Sequence, residues 1–147
     1  MADRDSLLLE VFILPFSVFK DFRFAAAHQI PGHRGGCENL HGHSYRVRVW
    51  VRSSALDALG MVVDFADLKT AMEEVVGPFD HAFLNEVPPF DERNPTAEML
   101  AQHVFVELRT RLDDERKRVT RVEVWESDTA AAIYEEEAAA AVAAAAP

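Results

Sequence analysis

Residues 37–52, CENLHGHSYRVRVWVR, decide how the rest of the chain is interpreted. Successive side chains of an extended strand point to opposite faces, so His41 and His43 share one face. Arg46, Arg48 and Arg52 lie on the opposite face, and the residues that continue the parity of the two histidines are Tyr45, Val47, Val49 and Val51. The alternation predicts a strand over residues 43–52 whose inward, apolar side carries two imidazoles.

A third histidine, His28, has the same property on the preceding alternating run. The apolar residues that share its parity are Phe22, Phe24 and Ala26. A strand within residues 11–27, next to the strand over residues 43–52, would bring three imidazole nitrogens to one point. Three histidines with a vacant fourth position are the ligand set of a catalytic zinc ion. Alternatively, the Cys37 thiolate fills the fourth position and the zinc site is structural.

Composition limits the class of protein. The chain has 147 residues, 49% of them hydrophobic, which predicts a single domain with one core. The formal net charge of -10 argues against nonspecific binding to nucleic acid, although small phosphate-bearing molecules remain compatible with it. A single cysteine excludes an intrachain disulfide and fits a reducing cytoplasm. Glu10 and Pro15 interrupt the apolar run over residues 7–19, so we expect neither a signal peptide nor a membrane span.

The remaining pattern predicts the element order β, β, helix, helix, β, β. A first helix begins after Asp64, a good N-cap residue, and ends near residues 77–78. A second helix begins at residues 94–95, where an asparagine caps and a proline occupies the first turn. Alternation predicts a third strand over residues 119–126 and the start of a fourth within residues 131–134.

This order divides the chain into three segments. Residues 16–135 form the single domain, residues 1–15 are an N-terminal extension, and residues 136–147 are an alanine-rich tail, disordered or a frayed helix. His103 lies off the apolar stripe of the second helix and is interpreted as a solvated residue.

Two further groups of residues are candidates for catalysis or ligand binding. Asp80 and His81 form a candidate acid/base couple, because a carboxylate can orient an imidazole for proton transfer; the alternative is a surface turn. Glu126 has the parity of the apolar residues Val122 and Val124, so it would end an inward row. A buried carboxylate needs a partner, and the amide-and-amine edge of a pterin or guanine offers two N–H donors. If the strand ends earlier, Glu126 simply meets water.

Together these residues resemble the family of 6-pyruvoyl- and 6-carboxy-tetrahydropterin synthases over residues 18–135. The motifs that carry the resemblance occur in order: Phe24-Ala25-Ala26-Ala27-His28, Cys37-x-x-x-His41-Gly42-His43, Val63-Asp64-Phe65 with Leu68-Lys69, Asp80-His81 with Leu84-Asn85, Asn94-Pro95-Thr96 with Glu98, and Glu126 with Tyr134. The resemblance implies an α+β tunnelling fold. In it, a four-stranded antiparallel sheet carries two helices on one face, and subunits close into a β-barrel as a hexamer of two trimers.

The gap of three residues between Cys37 and His41 resembles the carboxy-forming enzymes of queuosine biosynthesis. The resemblance implies conversion of 7,8-dihydroneopterin triphosphate to 6-carboxy-5,6,7,8-tetrahydropterin, with loss of acetaldehyde and triphosphate. It also implies roles for individual residues: His28, His41 and His43 bind zinc, Cys37 is the catalytic thiol, Asp80 and His81 transfer protons, and Glu126 anchors the pterin.

Two rival interpretations stay open at this point. One is a pyruvoyl-forming or other pterin side-chain enzyme with the same zinc site. The other is a non-catalytic zinc-binding domain in which Cys37 closes the coordination sphere. The cations that would meet the triphosphate are not singled out by spacing, and Lys20, Arg23 and Arg34 are candidates.

Overall fold

The fold is built around one twisted sheet, described here from a computed structural model that covers residues 14–136. The elements, in chain order, are β1 (Phe16–His28), β2 (His41–Ser53), α1 (Phe65–Val76), β3 (Ala82–Phe83), α2 (Ala97–Leu112), β4 (Lys117–Ser127) and β5 (Ala130–Glu135). Residues 1–13 and 137–147, which include most of the predicted extension and tail, lie outside the described residues. Within residues 14–136, no helix has the length and apolar character needed to cross a membrane.

The sheet has five strands in the order β3-β1-β2-β4-β5. The prediction of a four-stranded antiparallel sheet is therefore wrong in one respect: β3 adds a fifth strand, parallel to β1, through the pairs Ala26–Ala82 and Ala27–Phe83. Its two residues are too few to produce a readable alternation in the sequence. The other neighbouring strands pair antiparallel, as predicted.

Both helices pack on the sheet face that carries the predicted apolar row of β2. The fully buried side chains of this core include Tyr45, Val47 and Val49 from β2, Leu68 and Met72 from α1, and Leu100 and Leu108 from α2. The predicted start and end of α1 are confirmed, because the Asp64 carboxylate accepts the amide hydrogen of Ala66 at 2.7 Å and Gly77 follows the last helical residue.

The predicted start of the second helix is wrong by two residues. Thr96, not Asn94, is the N-cap, since its hydroxyl oxygen accepts the amide hydrogen of Met99 at 3.2 Å. Pro95 therefore precedes the helix rather than occupying its first turn. The interpretation of His103 as solvated is also wrong: its half-buried ring packs against Phe79 and Phe90, at centroid distances of 5.8 and 5.6 Å. Burial is the main cause that lowers the pKa of His103 below its ordinary value.

The opposite face of the sheet, which carries no helix, holds a buried carboxylate. Glu123 is 6% exposed, and it accepts hydrogen bonds from Trp50 at 3.1 Å, Trp125 at 3.0 Å and Arg121 at 2.9 Å. Burial alone would raise the pKa of Glu123, but the three donors outweigh burial, and the pKa lies below its ordinary value. Glu123 thus links β2 to β4 through hydrogen bonds that stabilise its buried charge.

Replacing Glu123 with glutamine should destabilise the protein by about 2 kcal/mol at pH 7, because charge-assisted hydrogen bonds from buried donors are lost. A carboxylate with a lowered folded pKa stabilises the fold above its unfolded pKa and loses that contribution as the pH falls through the folded value. The difference between the variant and the wild type should therefore shrink below the ordinary pKa of 4.5.

Urea unfolding at pH 7 and at pH 3.5 measures both effects. Glu73→Gln is the matched control, because Glu73 is exposed on α1 and its loss should change the free energy of unfolding by less than about 0.5 kcal/mol. Equal stability of Glu123→Gln and wild type at pH 7 would contradict a structural role for this carboxylate.

Candidate metal centre and active site

The three predicted histidine ligands meet at one end of the β1–β2 pair. His28 pairs with His41, and Ala26 pairs with His43, so all three imidazoles lie on the helix-covered face. Glycine is favoured between the two histidines, since a Cβ atom at Gly42 would lie 3.1 Å from the backbone oxygen of Ala26 and one of the strands would have to shift slightly. Gly42 thus eases the close approach of the two strands.

The histidine cluster, defined as His28, His41 and His43, has the dimensions of a metal site. One candidate ligand atom from each residue lies within 4.8 Å of the other two, and the Nε2 atoms of His28 and His41 are 2.9 Å apart. The Nδ1 atom of His28 is 2.8 Å from the carbonyl oxygen of Pro95, and that of His41 is 2.7 Å from the carbonyl oxygen of Asn39. Since carbonyls only accept, these contacts assign the protons to Nδ1 and leave both Nε2 lone pairs free for a metal.

His43 supplies the strongest sign that the cluster is built for a cation. Its Nε2 atom is buried and has no hydrogen-bond partner among residues 14–136. Burial lowers the pKa of His43, with smaller contributions in the same direction from His28 and His41, while Glu126 opposes the shift. The ring is therefore a neutral imidazole whose buried nitrogen is unpaired, and a bound metal ion would satisfy it. Three neutral nitrogens fit a zinc ion that keeps its fourth position open.

Cys37 lies in a short 3-10 turn, Gly36–Glu38, beside the histidine cluster but not in it. Among the described residues, three side chains are close enough together to share one metal ion, and they are those of the histidine cluster. The half-buried Cys37 side chain instead lines a pocket of about 340 Å³ that also contains His28. This arrangement favours a reactive thiol over a closing ligand.

The same pocket, called here the cysteine pocket, contains Glu126 and residues that sequence reasoning did not assign. Glu126 lies in β4 at a bulge, on the face of the histidines, and its side chain is 28% exposed. The unassigned polar residues of the pocket are His33, Thr96 and Glu98. The sequence motif Asn94-Pro95-Thr96 with Glu98 could have identified Thr96 and Glu98 as pocket residues. The pocket lining includes no lysine or arginine from the described residues.

Asp80 and His81, the candidate acid/base couple, are in contact in the structure. The Asp80 carboxylate is 3.0 Å from Nδ1 of His81 and also accepts the amide hydrogen of Ala25 at 3.0 Å. This backbone hydrogen bond is the main reason that the pKa of Asp80 lies below its ordinary value. His81 donates its own amide hydrogen to the carbonyl of Ala25 at 2.6 Å and has a φ of 55°, a conformation that residues other than glycine adopt at a cost.

The couple does not meet Cys37 within one chain. The His81 side chain is 83% exposed and borders a shallow depression beside β1 and β3, whose other residues include Ala25, Ala27, Ser44 and Phe83. The β1 and β2 residues that border it include both parities, Ala26 and His43 as well as Ala25 and Ser44, so the depression is not confined to one face of the sheet. His43 borders this depression, and His28 borders the cysteine pocket.

The candidate cations for the triphosphate are dispersed. Lys20 and Arg23 lie in β1, and Arg23 pairs with Arg46 in the sheet. Arg34 is exposed in the loop before Cys37. None of the three lines the cysteine pocket, so one described chain does not supply a cationic subsite beside its own thiol.

An α+β fold that carries a three-histidine cluster beside a cysteine pocket defines a candidate metalloenzyme for a small organic substrate. The sequence profile of the 6-pyruvoyl tetrahydropterin synthase family matches residues 17–137. The chain belongs to this family.

Two curated relatives illustrate the similarity. The 6-carboxy-5,6,7,8-tetrahydropterin synthase of a Synechocystis species is 39% identical over 122 residues, which cover 80% of this chain and 91% of that protein. The protein of the same name from Haemophilus influenzae is 32% identical over 149 aligned positions, covering 82% and 99% of the two chains. Among solved structures, Caenorhabditis elegans 6-pyruvoyl tetrahydropterin synthase matches with a TM-score of 0.74 at 26% identity, over 83% of this chain and 96% of that chain.

The wild-type protein should bind one divalent metal ion per chain, and His41→Ala should weaken that binding at least about tenfold, since even outer-shell changes have effects of this size. Metal content after dialysis, measured by elemental analysis, tests this. His81→Ala is the matched control, because this exposed histidine lies outside the cluster. Equal metal retention by His41→Ala and wild type would contradict the assignment.

Proposed function

We propose that the protein is a cytoplasmic, zinc-dependent 6-carboxy-5,6,7,8-tetrahydropterin synthase of queuosine biosynthesis. It would convert 7,8-dihydroneopterin triphosphate to 6-carboxy-5,6,7,8-tetrahydropterin, acetaldehyde and triphosphate. The single observation that carries the proposal is the histidine cluster, with its unpaired buried nitrogen, beside a pocket that holds Cys37 and Glu126. The names of the curated relatives and the Cys37–His41 spacing support the carboxy-forming reaction.

Zinc held by His28, His41 and His43 would supply a Lewis acid that lowers the pKa of the substrate's side-chain hydroxyls. Cys37, half-buried in the same pocket as His28, would remove or return a proton on the substrate side chain. Glu126 would accept two N–H donors from the pterin ring and so fix which carbon faces the thiol.

Asp80 and His81 would provide the complementary proton transfer. The lowered pKa of Asp80 keeps it ionised at neutral pH, so it accepts the Nδ1 proton of His81 and leaves the lone pair on Nε2. The imidazole then points its basic nitrogen away from its own turn, where an exposed side chain can reach a substrate.

The position of the couple indicates a site shared between chains. Cys37 and His81 line different depressions of one chain. The cysteine pocket also lacks lysine and arginine among its described lining residues, although the substrate carries a triphosphate. We therefore propose that a homo-oligomer, a hexamer of two trimers closed through β-barrels, brings His81 and basic groups of one subunit to the cysteine pocket of another.

The second candidate function is pyruvoyl formation on the same site. It is favoured by the structural similarity to the C. elegans 6-pyruvoyl tetrahydropterin synthase. A non-catalytic zinc domain is less well supported, since Cys37 is not among the side chains that cluster around the candidate metal position.

Incubation of zinc-loaded protein with 7,8-dihydroneopterin triphosphate should yield acetaldehyde and a carboxy-tetrahydropterin, identified by mass spectrometry. Cys37→Ala should lower turnover by at least about a hundredfold, the usual scale for a positioned acid/base group, and should keep its zinc. A pyruvoyl product would assign the sister activity. Loss of zinc and stability in Cys37→Ala would instead identify a structural thiolate.

Mixing two inactive variants tests the shared site. Cys37→Ala keeps the Asp80–His81 couple, and His81→Ala keeps the thiol, so a site built from two different chains is intact when each supplies its remaining half. After co-refolding in equal amounts, about a quarter of wild-type activity should return if subunits mix at random. The control is each variant refolded alone. No recovery, with mixed oligomers demonstrated by differently tagged chains, would place both groups in one chain's site.

A further inference from the structure

The Glu126 carboxylate points at the histidine cluster. Its Oε1 atom lies 3.9 Å from Nε2 of His28 and 4.0 Å from Nε2 of His43. These are too long for hydrogen bonds, and the carboxylate makes none with residues 14–136. A partly exposed carboxylate with no hydrogen-bond partner would ordinarily turn to solvent. Here it faces two of the nitrogens that the preceding analysis assigns to the metal.

These two distances can be compared with the spacing of ligand atoms around a tetrahedral zinc ion. Zinc–nitrogen bonds of about 2.0–2.1 Å in a tetrahedral site separate neighbouring ligand atoms by about 3.4 Å. Oε1 is thus only about half an ångström further from His28 and His43 than a fourth ligand would be. As the side chains stand, the group that could share one metal ion holds the three histidines without Glu126, so Glu126 would reach the open position by a change of its side-chain torsions.

We propose that Glu126 is the resident fourth ligand of the substrate-free metal centre and leaves the metal when a pterin binds. Anchoring a pterin edge requires both carboxylate oxygens to face the ring's N–H donors. With Oε1 turned to the histidines, Glu126 is not set for that contact, so its two roles correspond to two orientations of one side chain. The inference rests on the metal centre of the proposed function.

The exchange of Glu126 for the substrate would change the net charge of the metal centre. Three neutral imidazoles leave a bound dication with its full charge, and one carboxylate would cancel half of it. Glu126 would therefore strengthen metal binding and weaken the Lewis acid in the resting enzyme. Its departure towards the ring would restore the full charge when the substrate hydroxyls arrive. Binding of the ring and activation of the metal would be coupled through one residue.

Zinc affinity, measured by competition with a chromogenic chelator, tests the proposal without relying on turnover. Glu126→Gln should bind zinc about tenfold or more weakly than wild type. Glu126→Asp, which keeps the charge but shortens the side chain, should fall between them. Glu98→Gln is the matched control: it removes another carboxylate of the cysteine pocket, one that forms no ion pair with the histidine cluster among residues 14–136, and its zinc affinity should equal that of wild type.

The visible spectrum of the cobalt-substituted protein reports the ligand set directly. Glu126→Gln should differ from wild type, and adding 7,8-dihydroneopterin, which lacks phosphate, should change the wild-type spectrum by releasing the carboxylate. Unchanged zinc affinity and an unchanged cobalt spectrum in Glu126→Gln would overturn the inference. Thermal melting of the metal-free variants shows whether each is folded, and Glu126→Asp serves if Glu126→Gln is not.

The two proposals fail differently. A wild-type protein that binds neither zinc nor cobalt would overturn both. Pterin turnover combined with a spectrum insensitive to Glu126 would retain the proposed function and overturn only the fourth-ligand role. Metal affinity that depends on Glu126, without any turnover of the pterin triphosphate, would support the ligand and contradict the enzyme.

Discussion

The antiparallel register of β1 and β2 is the constraint on which the rest of the structure depends. It sets His28 opposite His41 and Ala26 opposite His43, and the same alternation sends Tyr45 and the valines of β2 into the core. A slip of one residue would move both the imidazoles and the apolar row to the wrong faces. The histidine cluster and the hydrophobic core are therefore specified by one pairing, which gives the metal site a rigid base.

Two carboxylates of β4 show how the fold separates structural charge from reactive charge. Glu123 faces the helix-free side and is satisfied by Trp50, Arg121 and Trp125. Glu126, three residues further along β4 and therefore on the other side, forms no hydrogen bond within residues 14–136 and has the imidazoles of His28 and His43 about 4 Å away. A buried charge that is fully hydrogen-bonded fixes a structure, whereas a partly exposed carboxylate without a hydrogen-bond partner is free to contact a ligand.

Much of this architecture could be predicted because period-two alternation is strong in β1, β2 and β4 and because Asp64 is an unambiguous cap. The predicted convergence of His28, His41 and His43 is borne out by the geometry of the described chain. The sequence pattern misplaces the start of α2 because both Asn94 and Thr96 are good N-cap residues and only the contact with Met99 decides between them. Neither β3 nor the burial of His103 leaves a local signal, since both depend on partners distant in sequence.

β1 contributes to the surroundings of both Cys37 and His81. This strand delivers His28 to the helix-covered face, where His28 lines the cysteine pocket, and three residues earlier it uses the backbone of Ala25 at its edge to hold Asp80 and His81. The thiol lines the cysteine pocket and His81 lines a separate depression. The unfavourable φ of His81 shows that the fold holds this residue in place rather than letting it relax. The proposed mechanism uses both groups on one substrate, and it therefore requires a second chain as part of the active site.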